Sequence, residues 1–121
     1  MRRFDPNMPL FLQVKKDVEN LILTGAIKED EKLPSVREMA KEYQLNPNTV
    51  NSAISELMNE EIIYKKRGIG MFVKQGVQER LRKIRQEKFE KEELEKIVEN
   101  AKMLQLNESE LIELVKKVFR R

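Results

Sequence analysis

Residues 33–59 constrain this chain most, because their punctuation fixes two short helices and the turn between them. Ser35 follows Leu33-Pro34 and precedes Glu38 by three positions. A hydroxyl and a carboxylate at that spacing satisfy each other's orphan backbone donors and start a helix. Val36, Met39, Ala40 and Tyr43 then share one apolar face, which predicts a helix over 35–43. A tight turn begins at Leu45. Asn46 is a good N-cap and Pro47 a good first helical residue. Val50, Ala53, Ile54 and Leu57 form the buried stripe of a second helix over 47–59.

An earlier helix is predicted over 9–24. Pro9 opens it, Phe11, Val14, Val18, Leu21 and Ile22 recur at helical spacing, and Gly25 stops it. Lys28–Lys32 reads as a polar loop. Downstream, Ile62-Ile63-Tyr64 and Met71-Phe72-Val73 are strand-like runs flanking Lys65-Lys66-Arg67-Gly68-Ile69-Gly70, a hairpin tip with two glycines. Helix, helix, turn, helix and hairpin, in that order, make a winged helix-turn-helix. The fold class expected is mainly α with a small β-hairpin wing.

Composition shifts after Gln75-Gly76. From Val77 to about Gln105 the pattern is charged and helical, threaded by Leu81, Ile84, Leu94, Ile97, Val98, Ala101 and Leu104. The thread breaks at Lys88 and Lys91, so it is not a heptad coiled coil. Asn107 with Glu110 marks a new helix start. Leu111, Ile112, Leu114, Val115, Val118 and Phe119 give the last helix one apolar face. Residues 1–75 are therefore expected to form the DNA-binding domain and residues 76–121 a helical dimerisation segment.

Several classes of chemistry are closed to this chain. It has no Cys and no His, which removes thiol chemistry and the commonest general base and metal ligand. Glu90, Glu92, Glu93 and Glu95 interleave with lysines and read as ion-pair partners, not metal ligands. No Walker loop is present, and Arg67-Gly68-Ile69-Gly70 is too short for a dinucleotide fingerprint. We expect no enzyme, no cofactor and no metal. The first residues, with Arg2 and Arg3, lack the apolar run of a secretory signal, and no stretch approaches the ~18 apolar residues of a membrane span. A cytoplasmic protein is expected.

The sharpest functional feature is a silence of charge. Residues 44–55 contain no Asp, Glu, Lys or Arg, although 37% of the chain is charged and about four would fall there by chance. With Val50, Ile54 and Leu57 inward, helical spacing turns Asn48, Asn51, Ser52, Ser55 and Asn59 outward. Such small neutral donors and acceptors suit a surface entering the DNA major groove, where a carboxylate would repel phosphate. Lys65, Lys66 and Arg67 beside Gly68 and Gly70 suit phosphates or a minor groove. Arg37 opposes the dipole in the first turn of its helix, which a phosphate or base contact would explain. Net charge is only +3, so placement of charge matters more than its total. Ordinary caps, a solvated hairpin and a surface ion pair are the structural alternatives for these three features.

Leu33-Pro34-Ser35-Val36-Arg37-Glu38-Met39-Ala40, Asn46-Pro47-Asn48-Thr49-Val50 and Arg67-Gly68-Ile69-Gly70-Met71-Phe72-Val73 together resemble the signature of GntR-family transcription regulators. The short tail and the Asn-Pro-Asn-Thr-Val turn resemble the YtrA subfamily. The resemblance implies DNA contacts from Arg37, from Asn48 and Thr49 at the start of the recognition helix, and from Arg67 and Gly68 at the wing tip. Many family members carry arginines where this chain has Pro47 and Asn51, which argues against transferring their guanine contacts. The candidate DNA-binding set is Ser35, Arg37, Asn46, Asn48, Thr49, Asn51, Ser52, Lys65, Lys66, Arg67, Gly68 and Gly70. The candidate dimerisation set is Leu94, Ile97, Val98, Ala101, Leu104, Leu111, Leu114, Val115, Val118 and Phe119. The expected function is a homodimeric regulator, a repressor, on an inverted-repeat operator in double-stranded DNA. A winged helix serving protein or RNA contact is the alternative. The sequence names neither operator nor effector.

Overall fold

The computed structural model describes residues 4–121; Arg2 and Arg3, read above as part of a non-secretory start, lie outside the described residues. Helix α1 spans Leu10–Leu23, α2 Val36–Tyr43 and α3 Pro47–Asn59. Strands β1 (Ile63–Lys66) and β2 (Gly70–Val73) form an antiparallel hairpin. Then come α4 (Val77–Lys88), a π-helical turn (Phe89–Glu93), α5 (Leu94–Met103) and α6 (Glu108–Phe119). The chain divides into two compact units, one ending at Arg82 and one beginning at Lys83.

The core of the first unit follows the expected stripes. Val14, Val18 and Ile22 of α1 meet Met39 and Ala40 of α2 and Val50, Ala53, Ile54 and Leu57 of α3. Ile63, Met71 and Val73 close it from the hairpin, and Val77 and Leu81 from α4. The start of α4 thus packs with the winged helix. Gln78 ties it down, donating from Nε2 to the carbonyls of Ile22 and Leu23 at 3.2 and 3.3 Å while its N–H reaches Glu29 at 3.0 Å. Gln13 is the buried polar exception among the described residues. Its Nε2 donates to the carbonyls of Asp5 and Met8, and its Oε1 accepts from Asp5 N–H at 2.7 Å, so burial costs it no hydrogen bond.

Two expectations need amendment. Lys28–Lys32 is not simply a loop: Asp30–Leu33 runs antiparallel along β2, with Lys32 bridged to Phe72 and Leu33 N–H donating to Met71 at 2.8 Å. One bridging residue flanked by charges lacks the alternation that signals a strand. Also, the helix expected from 77 to 105 is interrupted by the π-turn, whose Phe89–Glu93 span contains Lys91 and follows Lys88, the two breaks in the apolar thread.

Candidate nucleic-acid interface

The outward face of α3 is as the spacing requires. Val50, Ala53 and Leu57 are fully buried and Ile54 is nearly so. Asn48, Asn51, Ser52, Ser55 and Asn59 are exposed, and Thr49 is half-buried. Asn46 Oδ1 accepts from Asn48 N–H at 2.8 Å, so its acceptor is committed to capping the helix. Ser52 Oγ donates back to the Asn48 carbonyl at 3.1 Å. The side-chain amides of Asn48 and Asn51 have no hydrogen-bond partner among the described residues. Asn59, at the C-terminal end of α3, likewise has its side-chain amide without a partner among the described residues, so donors and acceptors of the kind a base edge matches run the length of the helix.

Helix α2 supplies the second element. Ser35 and Glu38 close the capping box, each N–H to side chain at 3.1 Å. The Ser35 N–H, then its hydroxyl, hold the Glu38 carboxyl below the usual carboxylate range. Glu38 is turned onto Ser35, and Arg37 is exposed with no ion pair among the described residues. The surface ion pair weighed for Arg37 is not formed.

The wing is longer and its tip shorter than the sequence suggested. Lys65 pairs with Met71 and Lys66 with Gly70, so these residues extend the strands. Only Arg67-Gly68-Ile69 remains as the loop, closed by Ile69 N–H on the Lys66 carbonyl at 3.0 Å. Gly68 sits at φ +77°, a left-handed conformation that side chains with a Cβ resist. Tyr64 and Phe72 stack at 5.6 Å, and the Lys66 ammonium lies 4.8 Å from the Phe72 ring centre. That contact draws Lys66 into the sheet instead of the loop. Lys65, Lys66, Arg67 and Gly68 are exposed and Gly70 is half-buried.

Not every cation is free. Arg80 donates to the carbonyls of Glu60 and Glu61 at 3.1 and 2.7 Å, completing the C-terminal end of α3, and Arg82 pairs with Glu79. The basic run after Gly76 therefore begins with structural arginines. Among the described residues no group of acidic side chains could hold a metal ion, and no helix is long and apolar enough to cross a membrane.

The second unit presents apolar surface. Leu94, Ile97, Leu104, Leu114, Val115, Val118 and Phe119 are all exposed, Phe119 at 86%, while Val98 and Leu111 are half-buried. Ala101 is already covered within the single chain. Helix α6 buries none of its residues although one face is apolar.

Comparison with known proteins follows the same outline. The family described as "Bacterial regulatory proteins, gntR family" matches residues 10–73. The "Uncharacterized HTH-type transcriptional regulator YhcF" of Bacillus subtilis is 32% identical over 116 residues, covering 94% of this chain and 93% of YhcF. The "HTH-type transcriptional repressor YtrA" of the same organism is 40% identical over 78 residues, covering 63% of this chain and 60% of YtrA. The "Arabinose metabolism transcriptional repressor" of Geobacillus stearothermophilus is 39% identical over 69 residues, 57% of this chain but only 19% of that repressor. Among solved structures, a GntR family transcriptional regulator from Listeria monocytogenes superposes with TM-score 0.79 at 31% identity, covering 94% of this chain and 98% of that one. The AraR DNA-binding domain in complex with operator ORR3 superposes with TM-score 0.54 at 27% identity, covering 60% of this chain and 88% of that one.

Proposed function

This chain belongs to the gntR family of bacterial regulatory proteins, is YtrA-like, and is a DNA-binding transcription regulator; from that premise we propose that it is a cytoplasmic repressor acting as a homodimer on an inverted-repeat operator. The observation that carries the proposal is the uncharged, exposed row of α3 beside a wing whose Lys65, Lys66 and Arg67 form no ion pair among the described residues. Asn48 and Asn51 read base edges, with Thr49 and Ser52 beside them. Arg37 and the wing residues Lys65, Lys66 and Arg67 neutralise phosphates, and the glycines at 68 and 70 let the wing backbone approach the duplex. Ser35 and Asn46 serve mainly by setting the first turns of α2 and α3. Related proteins are named repressors, which supports repression as the output.

Dimerisation is proposed through α5 and α6. The exposed apolar row from Leu94 to Phe119 is too large to leave in water on a monomer. A second copy is the simplest cover, and twofold symmetry would present two recognition helices to successive major-groove faces. The test is the Arg37→Ala chain and a Val115→Asp/Val118→Asp chain, measured against an operator selected from random duplexes. Arg37→Ala should keep its melting curve and lose operator affinity. The double variant should sediment as a monomer and bind the operator poorly. A dimer surviving that change would defeat the assignment of the tail, and an Arg37→Ala chain of undiminished affinity would remove Arg37 from the site.

A further inference from the structure

The extended segment bridged to β2 at Lys32 brings a cation to the wing that is absent from the wing's own sequence. Successive side chains alternate faces along a strand. Leu33 is buried with Met71 and Val73 beneath the wing, so Lys32 stands on the outer face with its bridge partner Phe72. Its stem runs along β2 to Gly70. A Cβ placed on Gly70 would lie 2.7 Å from Lys32 Cε and 3.6 Å from its Nζ. Glycine at position 70 is therefore the notch in which Lys32 lies, in addition to any approach to DNA. Lys66 stands directly across from Gly70 on β1, so the two lysine stems converge on the same residue from opposite sides.

The carboxylates nearest in sequence to Lys32 are each oriented by another donor, so none forms an ion pair with it among the described residues. Asp30 accepts from the Tyr64 hydroxyl at 3.2 Å, Glu31 from the Lys28 N–H at 2.7 Å and Glu38 from the Ser35 N–H at 3.1 Å. Lys32 makes no ion pair among the described residues, though its field reaches Glu38, at the first turn of α2 next to Arg37. Two lysine stems converging without a direct ion pair repel each other in the free protein and are favourable against a polyanion.

We propose that Lys32 is a DNA-contacting residue, taking a backbone phosphate of duplex DNA at the seam between the outer face of the wing and the first turn of α2. This rests on the DNA-binding function proposed above. Lys32 bridges the two cationic elements, Arg37 on one side and Lys65, Lys66 and Arg67 on the other. A phosphate contact carries no sequence information, so a random-sequence duplex is the appropriate probe.

The experiment measures the affinity of the full chain for that duplex across a salt series, for the wild type, Lys32→Gln, Lys32→Arg and Lys16→Gln. Lys16 is an exposed α1 residue outside the site. Each lost phosphate contact flattens the plot of log affinity against log salt by about 0.9. Lys32→Gln should flatten it by that amount per protomer, with an unchanged melting curve. Lys32→Arg should restore the slope, and Lys16→Gln should leave it alone. A steep wild-type slope that Lys32→Gln does not alter overturns this assignment and leaves the DNA-binding function standing. A wild type with no salt-dependent affinity for duplex DNA overturns both.

Discussion

Two asparagines two residues apart should fail in opposite ways. Asn46 Oδ1 receives the Asn48 N–H at 2.8 Å and caps α3, whereas the Asn48 side chain touches no polar group among the described residues. Asn46→Ala removes a cap at an exposed position, where water can replace part of the bond. The loss should be about 1 kcal/mol, and Pro47 keeps the first turn from fraying further. In a unit of this size each kcal/mol moves the midpoint by roughly 4–8 °C, so a melt followed by circular dichroism resolves it easily. Asn48→Ala should leave the midpoint unchanged, since alanine is a good helix residue. Its effect should appear in competition between a selected operator and random duplex, where losing one bidentate amide contact costs about 1–3 kcal/mol of discrimination. Asn46→Ala should leave both affinities and their ratio nearly unchanged at temperatures where the chain stays folded, since apparent affinity falls only with the folded fraction. A destabilised Asn48→Ala chain with intact discrimination would refute the division of labour between these residues.

Other changes probe the fold that carries the site. Gln13→Leu leaves the Asp5 N–H and the Asp5 and Met8 carbonyls without their partner, and should cost about 1–3 kcal/mol in urea unfolding. Leu57→Ala opens a cavity under the recognition helix and should cost about 2–5 kcal/mol in the same assay. Glu29 is held below its ordinary 4.5 by the N–H groups of Gln78 and then Gly76. Its folded value is depressed, so its stabilisation is fully present above the unfolded value and disappears as pH falls through the folded one. Melts through the acid range should therefore show a shallower acid loss in Glu29→Gln than in the wild type.

What the sequence disclosed was local. Capping boxes at Ser35 and Asn107, the Asn46-Pro47 start and the α3 stripe depend on residues within one turn of each other, and all are found in place. The exposed amide row was legible for the same reason, since helical spacing alone turns Asn48 and Asn51 outward. Long-range pairings were not legible. Nothing in Glu29-Asp30-Glu31-Lys32 signals a strand, because its hydrogen bonds are supplied by β2, forty residues later. Arg80 looked like one member of a basic run, but its role is set by the free carbonyls at the end of α3. The division between Arg82 and Lys83 was hidden too, since α4 carries the same charged pattern across it while only Val77 and Leu81 enter the first core.

The way charge is distributed explains why a protein of net charge +3 can still be a DNA-binding protein. Along α3 the exposed row from Asn48 to Ser55 is neutral, so that face adds nothing to unspecific attraction and discriminates only where donors and acceptors match. The cations lie on the elements beside it, α2 and the wing; Glu38 of α2 is bound to Ser35, and Asp30, on the segment alongside β2, to the Tyr64 hydroxyl. The Glu38 carboxylate does two things: it closes the cap that starts α2, and it places a negative charge within reach of Lys32, next in sequence to Arg37. Replacing Glu38 by Gln should separate these effects: the cap weakens, with a lower melting midpoint, while salt-dependent affinity for duplex DNA is retained or rises as an acidic charge leaves the interface. A Glu38→Gln chain with a flatter salt dependence would show that Glu38 organises the cations directly, and would overturn this account.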